Sequence, residues 1–84
     1  MTNKEILKKQ IIYRSNHRGT KEMDILLGGF VKKHINTFND TELFYLRNIL
    51  SLEDEILHRW FFDKVENQKI PDNKVTQLLK NFKL

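Results

Sequence analysis

The chain has 84 residues, enough for one domain with a modest core and too few for a catalytic domain plus a regulatory one. It contains no cysteine, which excludes disulfides and thiolate metal sites and fits a reducing compartment. Fifteen Lys and Arg against eleven Asp and Glu give a formal charge of +4, a mild basic excess that is not by itself a nucleic-acid signature.

The apolar runs are only a few residues long, far short of the roughly 20 needed to span a bilayer, so no membrane insertion is expected. The start, "MTNKEILKKQ", has no apolar signal region and carries an acid at Glu5, so a bacterial-type cytoplasmic location is expected. One proline, Pro71, and three glycines leave little of the punctuation that hairpins and sheets require, which favours an all-α chain.

The first helix is predicted over about residues 4–15. It places Leu7, Ile11, Arg14 and Arg18 near one line if the helical turn continues, so that two arginines extend an apolar stripe. A second, central helix follows, with Gly19 as the expected N-cap and Glu22 at the third position, where its carboxylate reaches back to the cap amide. Met23, Leu26, Leu27, Phe30, Val31, Ile35 and Phe38 then mark one helix face, with Gly28-Gly29 a local weakness inside it.

Asn39 and Glu42 give a polar cap for a third helix carrying Leu43, Leu46, Ile49 and Leu50. Ser51 with Asp54 reads as another capping box, after which Ile56, Leu57, Trp60, Phe61 and Val65 form a fourth apolar face that fades by Glu66. The segment "ENQKIPD" is a loop, Asp72 is the expected N-cap of the last helix, and Val75, Leu78, Leu79 and Phe82 supply its stripe. The expected architecture is a compact five-helix bundle, one domain over residues 1–84, monomeric and with no strand.

Candidate chemistry is sparse. His17, His34 and His58 are widely separated and lack metal-ligand spacing, so no metal site is expected, and His34 reads as a packed histidine on the edge of the central stripe. There is no nucleophile elbow, no phosphate loop and no isolated carboxylate pair, so no catalytic residue, no stably bound cofactor and no enzymatic activity are expected. Trp60 and Phe61 read as core, with Phe62 off the stripe. Lys8-Lys9 and Lys32-Lys33 are either solvated faces or phosphate contacts, which keeps a small basic nucleic-acid-binding domain as the alternative to a protein-interaction domain.

The stretch "YRSNHRGTKEMD", Tyr13 to Asp24, gathers charges of both signs around the first glycine. Two readings stand. In one, Arg14, Arg18, Glu22 and Asp24 form local ion pairs that fix the turn between the first two helices, each exposed pair worth up to about 1 kcal/mol. In the other, Gly19 lets a partner approach the backbone while Arg18 and Glu22 flank it as oriented donor and acceptor.

Arg14, Arg18-Gly19, Glu22, Asp24 and Leu27, written R-x-x-x-R-G-x-x-E-x-D-x-x-L, resemble the signature of the succinate dehydrogenase assembly factor family that promotes covalent flavinylation. The likeness continues through "LLGGFVKKHINTFNDTEL" and through "SLEDEILHRWF", covering about residues 4–65 well and the last helix more weakly. R-G-x-x-E alone is a weak pattern; its position between the first two helices of a short helical chain gives it specificity.

The resemblance implies a five-helix assembly chaperone that binds the flavoprotein subunit of succinate dehydrogenase, and in bacteria often of fumarate reductase. It implies that FAD becomes attached to a histidine of that client and not to this chain. It also implies a partner-binding surface with Arg18, Gly19 and Glu22 at its centre and Arg14, His17 and Asp24 at its rim.

Overall fold

The described part of the computed structural model, residues 2–83, folds as five helices: α1 (Asn3–Asn16), α2 (Lys21–His34), α3 (Asp40–Leu50), α4 (Asp54–Phe62) and α5 (Lys74–Lys80). No strand occurs among these residues. α1 packs on both α2 and α3, and α5 packs on α3. Ile11, Met23, Leu26, Leu27, Phe30, Leu43, Leu46, Leu57 and Val75 are fully buried in one cluster that draws on every helix. The stripes that carry helical spacing in the sequence are therefore the inner faces of the bundle, and Trp60 and Phe62 pack partly buried against them.

Helix starts are where the structure departs from the expected caps. α2 is capped by Thr20, whose hydroxyl accepts from the Met23 N–H at 3.3 Å, and not by Gly19, which has no side chain to accept with. α4 begins after Glu53 with no side-chain cap; Ser51 instead closes α3, its hydroxyl donating to the Asn48 carbonyl, and Asp54 is engaged elsewhere. α5 is capped by Asn73 and not Asp72, because Asn73 and Thr76 exchange reciprocal bonds at 2.9 Å. The predicted box at α3 is present, with Asn39 and Glu42 exchanging bonds of 2.8 Å.

Two helices also end before their apolar stripes do. α4 ends at Phe62 because Lys64 takes a left-handed backbone, φ 59°, which turns the chain away and leaves Val65 half exposed outside the helix. α2 runs unbroken through Gly28-Gly29. A Cβ on Gly28 would lie 2.9 Å from Asn16 Oδ1, so the glycine there admits the end of α1. After His34 the chain turns, yet Ile35 and Phe38 stay buried, with Phe38 stacked on the His34 ring at 5.2 Å.

Two titratable groups tie this packing to pH. The Asn39 amide, followed by the Lys74 ammonium, whose Nζ lies 2.9 Å from Glu42 Oε2, holds the Glu42 carboxyl below its ordinary value of 4.5 against the opposing effect of burial. Burial, followed by the neighbouring Lys33 charge, lowers the His34 imidazole below 6.5. In both cases the unfolded chain takes up protons first, so this stability is complete above the ordinary value and is lost as pH falls through the folded one. The thermal midpoint is expected to drop on acidification in two windows, one opening below pH 6.5 and one below pH 4.5. Melting curves of His34→Gln should lack the first decline and those of Glu42→Gln the second.

Candidate functional site

The turn from Asn16 to Thr20 joins α1 to α2, and it is held by a residue far away in sequence. Arg18 points inward, with only 8% of its side chain exposed, and forms an ion pair with Asp54 at the first position of α4. Its Nε donates to Asp54 Oδ1 at 2.7 Å, one terminal nitrogen donates to the Leu50 carbonyl at 2.8 Å, and the other donates to the Leu52 carbonyl at 3.1 Å. The Arg14 carbonyl accepts a longer bond of 3.4 Å. Every guanidinium nitrogen is thus engaged, and the Leu50 carbonyl, left without a partner by the end of α3, is satisfied.

The second oxygen of the same carboxylate accepts the Gly19 N–H. A Cβ on Gly19 would lie 3.0 Å from that oxygen, so a side chain there would push the Asp54 carboxylate back by a few tenths of an ångström; the glycine suits the close approach of Asp54 and does not serve an unusual φ. Asp24 completes the arrangement by accepting the Arg18 N–H at 2.8 Å. Two carboxylates from different helices therefore grip consecutive backbone amides, and the α4 carboxylate lies at the start of its helix, where a negative charge is favoured.

The local ion-pair reading of this stretch is corrected accordingly. Arg18 pairs across 36 residues with Asp54, not with Glu22 three residues past the glycine. Glu22 is exposed and makes no hydrogen bond or ion pair among the described residues. Arg14 extends from α1 into solvent. His17 donates from Nδ1 to the Tyr13 carbonyl at 2.7 Å and stacks on the Tyr13 ring, centroids 3.9 Å apart.

Arg18, Gly19 and Asp24 are thus brought together as the held turn, while Arg14, His17 and Glu22 surround it with free polar ends. Asp54, Leu50 and Leu52 are the functional partners that sequence reasoning missed. Ser51-x-x-Asp54 carries the local signature of a capping box, which conceals the long-range role.

Lys32 borders a groove between α1 and α2 beside Asn36. Lys8 Nζ donates to Asn36 Oδ1 at 3.3 Å, and Lys33 lies 5.8 Å from the Phe82 ring. His58 lies half-buried beside the Phe62 ring. No group of His, Asp and Glu suited to a metal ion occurs among the described residues, and no helix among them is long and apolar enough to cross a membrane.

These features define a small helical scaffold in which a buried ion pair fixes one exposed, charged turn. The family described as flavinator of succinate dehydrogenase matches residues 9–83, and the chain belongs to that family. It is 38% identical over 73 residues to the FAD assembly factor SdhE of Acetobacter pasteurianus, a match that covers 87% of this chain and 64% of that protein. It is 34% identical over 77 residues to the mitochondrial succinate dehydrogenase assembly factor 2 of Scheffersomyces stipitis, covering 90% of this chain and 52% of the relative. For the protein of the same description from Meyerozyma guilliermondii the identity is 31% over 78 residues, covering 92% and 58%. The chain therefore spans between about half and just under two thirds of the length of these relatives. No solved structure matches it with significance.

Removing either end of a largely buried ion pair leaves the other charge without compensation, at a typical cost of about 3 kcal/mol or more. Arg18→Ala and Asp54→Ala are each expected to destabilise the fold by that amount, out of roughly 4–12 kcal/mol for a chain of this size. The double variant should cost well under the sum. Arg18→Lys should not restore stability, because one ammonium cannot serve the carboxylate and both carbonyls. Denaturant titration of the four variants checks this; additive losses would show that the pair is not coupled.

Proposed function

We propose that this chain is an assembly factor that binds the flavoprotein subunit of succinate dehydrogenase, and in some settings that of fumarate reductase, and promotes covalent attachment of FAD to a histidine of that subunit. Membership of the flavinator family supports the client and the outcome. The observation that carries the mode of action is the divided stretch around Gly19: Arg18, Asp24 and Asp54 hold the turn from within, while Arg14, His17 and Glu22 meet solvent around it.

A rigid exposed turn serves binding because little conformational freedom is lost when a partner docks on it. Gly19 leaves its backbone open on the outer side, and the Glu22 carboxylate is free to accept a hydrogen bond or a cation from the client. The chain acts as a non-catalytic chaperone: its residues bind and orient the client so that the client histidine and its flavin meet in a productive geometry, a proximity effect. No atom of this chain is assigned to the bond-forming step, and the flavin belongs to the client.

Substitutions separate the outer side of the turn from the inner one. Glu22→Ala and His17→Ala should leave the thermal midpoint within a degree or two, while Glu22→Ala weakens client binding by about 2 kcal/mol, roughly thirtyfold, and lowers covalent flavin in proportion. Arg18→Ala should lower both folding and flavinylation, because it removes the support. The measurement is client affinity and protein-bound covalent FAD for each variant beside its melting curve. Undiminished flavinylation by folded Glu22→Ala and His17→Ala would overturn the assignment of this surface. No binding of the flavoprotein subunit by the unaltered chain would overturn the proposed function itself.

A further inference from the structure

α1 and α3 lie side by side and run in the same direction: Lys4 Nζ is 3.5 Å from Asp40 at their starts, and Arg18 reaches the Leu50 carbonyl at their ends. Ile11 on α1 and Leu43, Leu46 and Leu50 on α3 turn into the core. Along the outer side of α1, at helical spacing, come Ile6, Gln10, Tyr13 and His17, all exposed. On α3 the outer side carries Phe44 and Arg47. Ile6 is 43% exposed, Tyr13 63% and Phe44 48%, which is a large apolar expenditure for a chain with a thin stability margin.

Two of these residues are pre-ordered. Tyr13 is stacked on His17, and Phe44 lies under the Arg47 guanidinium at 4.4 Å from the ring centroid. Tyrosine, phenylalanine and arginine are the residue types enriched in interface cores, and an aromatic ring already held in place loses little freedom on docking. The face is also one-sided in charge. Arg14 and Arg47 have no carboxylate partner among the described residues, and Asp40, the acid at the amino end of the face, already has Lys4.

We infer that the α1–α3 face is a second part of the docking surface, built to take a segment of the client that carries carboxylates beside apolar side chains. This rests on the proposed function and names the chemistry its client must present. A standard interface takes about 800 Å² from each partner, more than the Gly19 turn alone can supply. α1, about 21 Å long at 1.5 Å per residue for its 14 residues, continues the surface directly from the turn. Arginines at such a face accept carboxylates in pairs of parallel hydrogen bonds, and aromatic rings beside them exclude water from the contact.

The test uses the purified flavoprotein subunit of succinate dehydrogenase as probe, against the unaltered chain, Arg47→Glu, Phe44→Ser, Glu22→Ala and the control Lys69→Glu, which makes the same change in net charge on an exposed loop. Arg47→Glu and Phe44→Ser are each expected to weaken binding by about tenfold or more with unchanged melting, and Arg47→Glu to reduce the salt dependence of the affinity. Lys69→Glu should bind within about twofold of the unaltered chain. Two results overturn the inference while the proposed function stands: Arg47→Glu and Phe44→Ser bind normally though Glu22→Ala does not, or Lys69→Glu weakens binding as much as Arg47→Glu. If the unaltered chain does not bind the subunit, both fall. Should Phe44→Ser melt early, Tyr13→Ser, at the more exposed ring, takes its place under the same criteria.

Discussion

One guanidinium organises the turn between α1 and α2 and the start of α4. Arg18 satisfies the carbonyls at the close of α3, neutralises the carboxylate that opens α4 and, through that carboxylate, fixes the amide of the next residue. Arginine is suited to the place because its planar donors reach three acceptors in different directions, and because it stays charged when largely buried. Glycine suits the next position because any side chain there would press on the Asp54 carboxylate. The adjacency of Arg18 and Gly19 therefore makes packing sense only once α4 has come to rest on the turn.

That packing divides the charged stretch into residues that hold and residues that are held out. Arg18 and Asp24 face the protein, whereas Glu22, two positions before Asp24, faces water with nothing to bind. A substitution at Arg18 or Asp24 acts through folding, whereas one at Glu22 leaves the hold on the turn intact. Of the two readings of the sequence, the turn-fixing one holds for Arg18 and Asp24, with Asp54 as the partner in place of Glu22.

The helices themselves were legible because apolar spacing is imposed by burial: the stripes from Met23 to Phe38 and from Val75 to Leu79 lie inside the bundle as their periodicity indicates. The capping box at Asn39 and Glu42 was legible for a different reason, since both partners sit within one turn. What was hidden depended on competition or distance. Thr20 displaces Gly19 as a cap because its hydroxyl can accept a bond. Lys64 ends α4 through a backbone conformation that no residue type there announces. Asp54 lies 36 residues from Arg18, beyond the reach of any local pattern, and it also fits a cap that it does not make. The candidate site was thus visible by its charges while its architecture was not.

The seven residues of α5 are too few to be helical on their own. They persist because Val75 and Leu79 enter the core, Phe82 meets the Phe30 ring edge-on at 5.4 Å, and Lys74 is tied to Glu42 at the beginning of α3. The C-terminal segment is therefore a borrowed helix, whose order is lent by α2 and α3. Phe30 and Leu79 are covered at this end of the bundle, and the Arg18–Asp54 pair ties α4 to the turn at the other. The order of the C-terminal segment and the hold on the Gly19 turn thus rest on separate sets of contacts.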